Sequence, residues 1–565
     1  MSFEIVTTSF RAKVRRRSLP GLALACGAIT AISACYVCLM GLAVMFNDRW
    51  IVSGVLSLGQ LLVGMLPLAC GCYLAVRASG RSARQILFAA AVAGTLAGGG
   101  LVALLLLGET TALRTIFVNA SPALRKFLSF GLGPGLASLV LCSGAALLAL
   151  SGAALCLARK RLRSALVAGF GTCLSVGLLQ DLLRIFLDGE GLPKALREHL
   201  FDWQGLTWFA AIEFFAAAFL LRWIWPQLSQ RLDTVAARRG SGFRRALRWG
   251  LIVASIAFVL LLPVLGGAFL GQVMMLVALF ILMGLGLNIE VGLAGLLDLG
   301  FVAFFAIGAY VVALTTANSE FAVAALPFWL ALPLAAIVAA AAGLLFGLPV
   351  LRVRGDYLAV ATLGLGEIVR LLVISDTLKP LIGGAQGILG VPKPTLAGMT
   401  LASPSHLVYL SLAACLLVAY CAWRLQGSRI GRAWIALRED EDAAQTLGLN
   451  LVGIKLLAYG LGAAFAGIAG GIFATMVGSV FPHSFQLIIS INVLALIILG
   501  GLGSIPGVIV GALALVGMPE LLREFGEFRF LFYGLVLVIM MRFRAEGLWP
   551  SRASRRSSAI LEEPG

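Results

Sequence analysis

Charged residues and histidines are scarce in this sequence of 565 residues. Lysine, arginine, aspartate and glutamate together make up 12% of the chain, only three histidines occur, and 60% of the residues are hydrophobic. The mean hydropathy is +1.01, so the apolar surface is too large to be hidden in a water-soluble core. The scarcity of charge therefore excludes a soluble globular protein, and lipid must surround most of the chain.

The sequence also lacks a phosphate-binding loop and a convincing metal or catalytic cluster. No Gly-x-x-x-x-Gly-Lys-Ser/Thr pattern occurs, which argues against ATP hydrolysis by this chain. The ten cysteines lie inside predicted apolar spans, far in sequence from His199, His406 and His483. Pairs such as Cys35 and Cys38 are therefore interpreted as small residues of helix contacts rather than as metal ligands. We expect no cofactor on this chain, and an integral-membrane enzyme is disfavoured.

Long apolar runs predict an all-α polytopic membrane protein. A run of about 17 to 25 apolar residues crosses a bilayer as one helix, because a helix satisfies its own backbone hydrogen bonds in lipid. The sequence predicts about 16 transmembrane helices, about six in its first 240 residues and about ten after them. The predicted crossings are 19–46, 50–76, 85–107, 128–157, 164–187, 203–225, 249–268, 272–290, 293–317, 325–350, 357–377, 404–423, 453–478, 485–500, 505–521 and 527–545.

The net charge of +17 is distributed as in a membrane protein rather than a nucleic-acid-binding protein. Arginine and lysine cluster in alternate loops, for example at 77–84, 159–163 and 424–438. The positive-inside rule then places these loops and both termini in the cytoplasm, with the basic rims against anionic lipid headgroups. The basic segment 11–17 precedes an apolar run of about 28 residues, longer than a signal-peptide core, which predicts a retained anchor.

A polar connection divides the predicted spans into two membrane domains. The segment Pro226–Arg248 is rich in charge and contains glycine and serine, which is the composition of a linker. We predict an extension of unknown role at 1–240, a second domain at 241–550 and a cytoplasmic tail at 551–565. The motifs of the second domain have no earlier copy, so the extension is not a duplicated unit. Glu213 is the most prominent polar residue of the extension. Its place within a predicted membrane span is explained equally well by a functional role or by pairing with a glutamine or arginine of a neighbouring helix.

Polar residues and glycines interrupt the apolar sequence of the second domain. An ionised carboxylate facing lipid costs about 2.5–3.5 kcal/mol on insertion scales, so these residues should face protein or water. The glycines would permit a broken helix whose free backbone groups meet a zwitterion. For Glu290 and Asp298, a role at an inner gate or as a loop anchor fits as well as a substrate contact. For Glu367, pairing with Arg370 three residues later is the alternative to a role in transport. The predicted path residues are Asn288, Glu290, Gly292, Gly295, Asp298, Gly300, Glu367 and Asn492.

The segment Gly431–Asn450, GRAWIALREDEDAAQTLGLN, is too charged to cross the bilayer and lies between two predicted cytoplasmic helix ends. Its acidic residues at 439–442 suit the positive end of a short helix. Gly448 and Asn450 suit the termination of that helix. The pattern also occurs in ordinary solvated loops, so by itself it indicates only a cytoplasmic helix and turn.

Five ordered blocks resemble the larger permease subunit of the high-affinity branched-chain amino-acid ABC importers. Two of them are LNIEVGLAGLLDLGFVAFFAIGAY (Leu287–Tyr310) and LRVRGDYLAVATLGLGEIVRLL (Leu351–Leu372). The resemblance covers about residues 250 to 550, and we recognise none before about residue 240. It implies a multi-pass protein of the bacterial inner membrane. The other three blocks are Gly383–Gly398, Gly431–Gly448 and Met518–Pro550.

The resemblance implies a docking site for a separate ATPase. Such permeases carry a cytoplasmic loop with the pattern Glu-Ala-Ala-x-x-x-Gly, whose short helix enters a groove of the ATPase. Asp442, Ala443, Ala444 and Gly448 reproduce that spacing with aspartate in place of glutamate, and Glu441 precedes them. The implied partners are two ABC ATPase subunits that hold ATP and Mg²⁺, a second and smaller permease subunit, and a periplasmic amino-acid-binding protein. That binding protein would land on the predicted external loop 375–406.

Several alternatives stay open at this point. A urea or short-amide importer shares much of the pattern, and the pairing of the permeases as homodimer or heterodimer is undecided. An ion-coupled secondary amino-acid carrier would use Glu213, Asp298 and Glu367 as protonation sites. The loop at 442–448 favours the ATP-driven class, because a carrier has no need of an ATPase dock.

Overall fold

The computed structural model describes residues 19–238 apart from 79, 112, 188–193 and 203–204, and residues 267–350. It also describes residues 356–521 apart from 397, and scattered positions at 250–264 and 523–550. Internal contacts divide the chain into two units, Met1–Trp249 and Gly250–Gly565. The predicted roles of these two parts, as extension and core, stay predictions.

Helices dominate both units, which confirms the all-α class. Eleven helices of the described residues are long and apolar enough to cross a membrane, and two shorter apolar helices accompany them. The first unit contains α1 Leu19–Leu39, α2 Leu42–Met45, α3 Leu58–Arg77, α4 Ala83–Thr110, α5 Pro122–Ser129, α6 Pro134–Leu157, α7 Lys160–Leu178, α8 Gln180–Leu187, α9 Lys194–Leu200 and α10 Trp208–Arg238, with a short hairpin of β1 Trp50–Val52 and β2 Leu56–Ser57.

The second unit begins, in its described part, with a long helix that ends in a π-helical turn. It contains α11 Gly267–Leu287, the π-turn Asn288–Leu293, α12 Val302–Thr316, α13 Phe328–Val350, α14 Asp356–Ile374, α15 Lys379–Ile382, α16 Pro404–Gln426, α17 Arg429–Glu439, α18 Glu441–Thr446, α19 Leu451–Val477, α20 Leu487–Gly500, α21 Ile505–Ala512, a second π-turn Leu513–Gly517 and α22 Met518–Leu521. Its short strands are β3 Ile388–Leu389, β4 Thr395–Leu396, β5 Met399–Thr400 and β6 Ser479–Val480.

Several predicted crossings differ from the helices at their ends. The crossing predicted at 50–76 starts at Leu58, because Ser57 and Gln60 form a capping box that begins α3 there. The crossing predicted at 164–187 is divided into α7 and α8 at Leu179. The helix α10 continues to Arg238, through the first half of the predicted linker. The predicted crossings 249–268 and 527–545 fall largely outside the described residues, and the tail 551–565 falls wholly outside them.

Small residues let the helices of the first unit approach closely. A Cβ at Gly71 would lie 1.9 Å from Ala149 O, so α3 and α6 are in backbone contact there. The ten cysteines are free thiols within helices of the described chain, as the packing interpretation predicts. Glu213 lies 3.2 Å from His199 Nε2, so its neighbour is a histidine rather than the glutamine or arginine considered from the sequence.

The helix α19 forms the centre of the second unit, packed against α11, α12 and α13. A stripe of small residues, spaced four apart along one face of α19, is buried at each of its four positions. A Cβ at Gly470 would lie 2.0 Å from Phe305 O, so a larger residue cannot fit against α12 without displacing backbone. The stripe consists of Gly462, Ala466, Gly470 and Ala474.

We expect Gly470→Ala to destabilise the chain by about 1–3 kcal/mol, the range for overpacking a close contact. Gly364→Ala on α14 is the matched control, because no heavy atom lies within 4 Å of the point that its Cβ would occupy and alanine favours helix. Thermal unfolding of the purified chain in detergent measures both. An equal melting temperature for the two variants would contradict the close packing of α19 and α12.

Contacts sort the loops of the second unit into two ends. At one end β3 pairs antiparallel with β6, and Trp329 Nε1–H donates to Thr395 O over 2.7 Å. At the other end the turn after α20 meets the segment 547–550, where the Trp549 amide donates to Gly500 O over 2.8 Å. The helix α16 runs from the first end to the second, where Gln426 Nε2 donates to Gly503 O over 2.9 Å. Which end faces the cytoplasm stays a prediction.

Candidate functional site

The helix α11 does not continue into α12, as the glycines of the segment predict. Its last turn, Asn288–Leu293, widens to a π-turn, and Gly295 then adopts φ +74°, a conformation that favours glycine. Residues 294–301 are not helical, so the crossing predicted at 293–317 begins its regular helix only at Val302. We call residues 288–301 the helix break.

Side chains of the protein satisfy the free amides of the helix break. The Leu299 amide donates to Thr362 Oγ1 over 3.0 Å, and the Gly300 amide donates to Asp298 Oδ1 over 2.7 Å. The Val302 amide, at the start of α12, donates to Ser490 Oγ over 2.9 Å. The Asp298 carboxylate therefore binds the backbone of its own loop, and the three amides have partners within the protein. The role of Asp298 in transport stays a prediction. A Cβ at Gly300 would lie 2.1 Å from Thr362 O, which explains why glycine is needed there.

The carboxyl group of Glu290 is buried between α11 and α19. Glu290 and Asp298 are 0% and 1% exposed. A Cβ at Gly462 would lie 1.9 Å from Glu290 Oε1, so this carboxyl group rests on the bare backbone of α19. The structure places both acids inside the chain, and their role in a path stays a prediction.

Asn288 joins the helix break to a second break between α20 and α21. Its Oδ1 accepts the Gly503 amide over 2.8 Å. The turn 500–504 contains Gly501 at φ +119° and Gly503 at φ +74°, and it lies between the predicted crossings 485–500 and 505–521. A Cβ at Gly292 would lie 2.7 Å from Gly503 N, so the two breaks are in direct backbone contact. Together they form a junction that we define as residues 288–295 and 500–504.

The loop predicted to dock an ATPase folds into a short helix with a sharp reversal. Asp440 Oδ1 accepts the Ala443 amide over 2.9 Å and caps α18. Gly448, at φ +80°, ends the helix, and the Leu449 amide donates back to Ala444 O over 3.2 Å. Asn450, which the sequence suggested as part of this termination, instead caps the next helix by accepting the Gly453 amide. We call residues 440–448 the docking loop.

The docking loop presents an apolar tip on a polar surface. Ala444 is buried at 1% exposure, whereas Asp442, Ala443 and Gly448 are exposed. Leu447 is 79% exposed. A single exposed leucine is ordinary on a protein surface, so by itself Leu447 does not identify a partner.

Two contacts fix the docking loop to α19. Lys455 is buried on α19, and its Nζ lies 2.6 Å from Glu441 Oε1. Trp434 on α17 is fully buried, and its Nε1–H donates to Ile454 O over 2.9 Å. The helices α17, α18 and the start of α19 therefore form one packed element.

Sequence reasoning missed two residues that bind the junction: Arg438 of this packed element and Gln426 at the end of α16. Arg438 Nη1 donates to Gly292 O over 2.6 Å, and Gln426 Nε2 donates to Gly503 O over 2.9 Å. Arg438 is one of several arginines in a basic segment, and no local pattern distinguishes it from the others. Its partner lies 146 residues away in the sequence, a separation that spacing arguments do not reach.

The remaining predicted path residues lie on α14 and α20. Glu367 accepts Arg370 Nε–H over 2.8 Å, which is the intrahelical pairing considered from the sequence. The side chains of Glu367 and Arg370 are 42% and 30% exposed, so the pair lies at the surface of this chain. Asn492 is half-buried on α20. Their position relative to a transport path stays a prediction.

The loop at the opposite end is ordered by backbone pairing and by one lysine. β3 pairs with β6, and β4 pairs with β5. Lys393 Nζ donates to Thr475 O and Met476 O, both over 2.7 Å, and caps the end of α19. Burial lowers the pKa of Lys393. The predicted landing surface 375–406 is therefore a fixed structure over most of its length.

Comparison with known proteins places these elements in a family. A profile described as the branched-chain amino acid transport system / permease component matches residues 269–541. The high-affinity branched-chain amino acid transport system permease protein LivM of Salmonella typhimurium is 46% identical over 295 residues, which cover 48% of this chain and 68% of that protein. The chain belongs to this permease family. LivM of Escherichia coli is also 46% identical, over 49% of this chain and 68% of its own length.

The chain also matches a second permease protein, and its first ten helices lie outside the matched region. The permease protein LivH of Salmonella typhimurium is 30% identical over 149 residues, 26% of this chain and 46% of that protein. The match to the permease profile begins at residue 269, so α1–α10 lie outside it. No solved structure matches the chain. The helix break, the docking loop and the junction all lie within the permease region.

Proposed function

We propose that this chain is the permease subunit of an ATP-driven importer of branched-chain or other apolar amino acids. The observation that carries the proposal is the docking loop: a capped helix of six residues, a reversal at Gly448 and an exposed Leu447. Family membership supports the substrate class, since the matching relatives are named as branched-chain amino acid permeases. Urea and short amides are disfavoured by the same names, and a secondary carrier is disfavoured by the family.

The proposed assembly contains two ABC ATPase subunits, a second and smaller permease subunit, and a periplasmic binding protein. The docking loop lies on the cytoplasmic side and receives an ATPase, which binds ATP and Mg²⁺. The loop 375–406 lies on the periplasmic side and receives the binding protein. The basic loops and both termini are cytoplasmic. The match to LivH, a separate permease protein of the same transport system by name, supports a two-permease arrangement.

In the proposed mechanism, ATP binding moves the docking loop and changes the inner ends of the membrane helices. The junction lies at these ends. It contains one π-turn and one glycine-containing turn, and helices bend most readily at such interruptions. Glu290 then serves at an inner gate, and Asp298 holds the loop beside it through the Gly300 amide. Glu367 and Asn492, being partly exposed on this chain, are placed to face the companion permease or the path between the two permeases.

Copurification from the native membrane tests the proposed assembly. A tagged chain, solubilised in mild detergent, should bring down two ABC ATPases, a smaller permease and, in the presence of an apolar amino acid, a binding protein. Mass spectrometry identifies the partners. Recovery of the chain without any ATPase, under conditions that keep a known ABC importer intact, would contradict the proposal.

A further inference from the structure

Arg438 links the docking loop to the helix break in two ways. Its guanidinium group donates to Gly292 O over 2.6 Å. Its aliphatic stem packs over Gly295, where a Cβ would lie 2.9 Å from Arg438 Cγ. Both contacts fall on the part of the break in which the backbone departs from α-helix. Arg438 is also two residues from Asp440, the cap of α18, so the same side chain adjoins the docking helix and the break.

The helix α17, which carries Arg438, is fixed to α18, the helix of the docking loop. The two helices therefore move together. Trp434 holds α17 against Ile454, and Lys455 holds Glu441 at the start of α18. Because both anchors lie on the first turns of α19, a displacement of α18 carries the end of α17 with it. The Gly292 carbonyl must then follow Arg438 or lose its bond.

The second break is connected to the first and moves with it. The Gly503 carbonyl accepts a hydrogen bond from Gln426 Nε2, and the Gly503 amide donates one to Asn288 Oδ1. A force applied at Gly292 therefore reaches the ends of three membrane helices, α11, α20 and α21, through the contact of Gly292 with Gly503.

We propose that Arg438 is the positioning residue that transmits movement of the docking helix to the junction, and so couples ATP hydrolysis to opening of the permease. This inference rests on the proposed function. A merely structural arginine would support folding or assembly, and its loss would lower hydrolysis and uptake in the same proportion. A coupling arginine would lower uptake for each ATP hydrolysed, because the ATPases would still dock on α18 and cycle without moving the junction.

The test uses the full complex in liposomes, with ATP on the ATPase side and with binding protein and leucine on the opposite side. ATP hydrolysis and leucine uptake are measured in the same preparation for Arg438→Gln and Arg438→Lys. The control is Arg432→Gln, which removes an exposed arginine of the same helix that bonds locally to Gly427 O.

We expect Arg438→Gln to assemble and hydrolyse ATP while uptake per ATP falls about tenfold, the scale of one lost charge-assisted hydrogen bond. Arg438→Lys should recover part of the ratio of leucine uptake to ATP hydrolysis, since an ammonium group can also donate to Gly292 O. Arg432→Gln should keep the wild-type ratio. Gly295→Ala should lower the ratio by displacing the Arg438 stem, and the double variant should be no worse than the stronger single variant.

Two results would overturn the inference. One is a proportional fall of hydrolysis and uptake in Arg438→Gln, and the other is an unchanged ratio in a complex that assembles normally. A wild-type complex without ATP-dependent uptake would instead refute the proposed function, so the two failures are distinguishable.

Discussion

Deletion of Asp442–Gly448 should abolish ATP-driven uptake while leaving the chain inserted in the membrane. The deletion removes the exposed surface of α18 and the Gly448 reversal, but it spares the apolar membrane helices that direct insertion. Uptake of radiolabelled leucine into vesicles that contain the ATPases measures the loss. Fluorescence of a fused reporter in isolated membranes measures insertion.

A point variant separates loss of docking from loss of loop length. Leu447→Asp places a charge at the 79%-exposed tip, where it disturbs no internal packing but would be buried by an ATPase at a cost of several kcal/mol. Leu447→Met, which conserves volume and apolarity, is the matched control. Uptake that survives in Leu447→Asp at the level of Leu447→Met would show that this tip does not meet the ATPase.

Replacement of Trp434 should have the second largest effect. Trp434→Ala empties a fully buried site beneath the docking loop and should destabilise the chain by about 3–5 kcal/mol. The ATPases should then be lost on copurification, because α17 no longer holds α18 and Arg438 in place. Thermal unfolding in detergent and recovery of ATPase on the tagged chain are the two measurements.

Trp434→Phe is the control for the tryptophan. It keeps most of the buried ring and loses the bond from Nε1–H to Ile454 O, so about 0.5–1.5 kcal/mol of destabilisation is expected. ATPase binding should persist. If Trp434→Ala melts and binds ATPase like the wild type, the packed element of α17, α18 and α19 has no role in docking.

Local patterns in the sequence predicted the elements of the site. Apolar length predicted the helices, and the glycines around Asp298 predicted the helix break. Gly448 predicted the reversal of the docking loop, where it adopts φ +80°. These features depend on residues within a few positions of one another. The start of α3 could also have been predicted locally, because Ser57 and Gln60 have the spacing of a capping box. Apolar length alone placed the start of that crossing at residue 50.

Contacts between distant segments could not be predicted in the same way. Asn288 and Gly503 are 215 residues apart. The sequence marked Asn288 as a polar residue in an apolar segment, but nothing in either segment indicated that the two residues meet. Asp298 was recognisable as a buried acid, yet whether its carboxylate met a ligand or the Gly300 amide depended on the local fold of the break. The choice between path and anchor therefore required three-dimensional neighbours that a single sequence does not provide.

The energy source of transport tests the central claim most directly. The purified complex is reconstituted into liposomes, and leucine uptake is measured with ATP on the ATPase side, with binding protein on the opposite side, and with a proton gradient imposed or collapsed by an uncoupler. The account predicts uptake only when ATP and binding protein are both present, and no loss when the gradient is collapsed at constant ATP. Uptake by this chain alone, driven by the proton gradient without ATP, would contradict it.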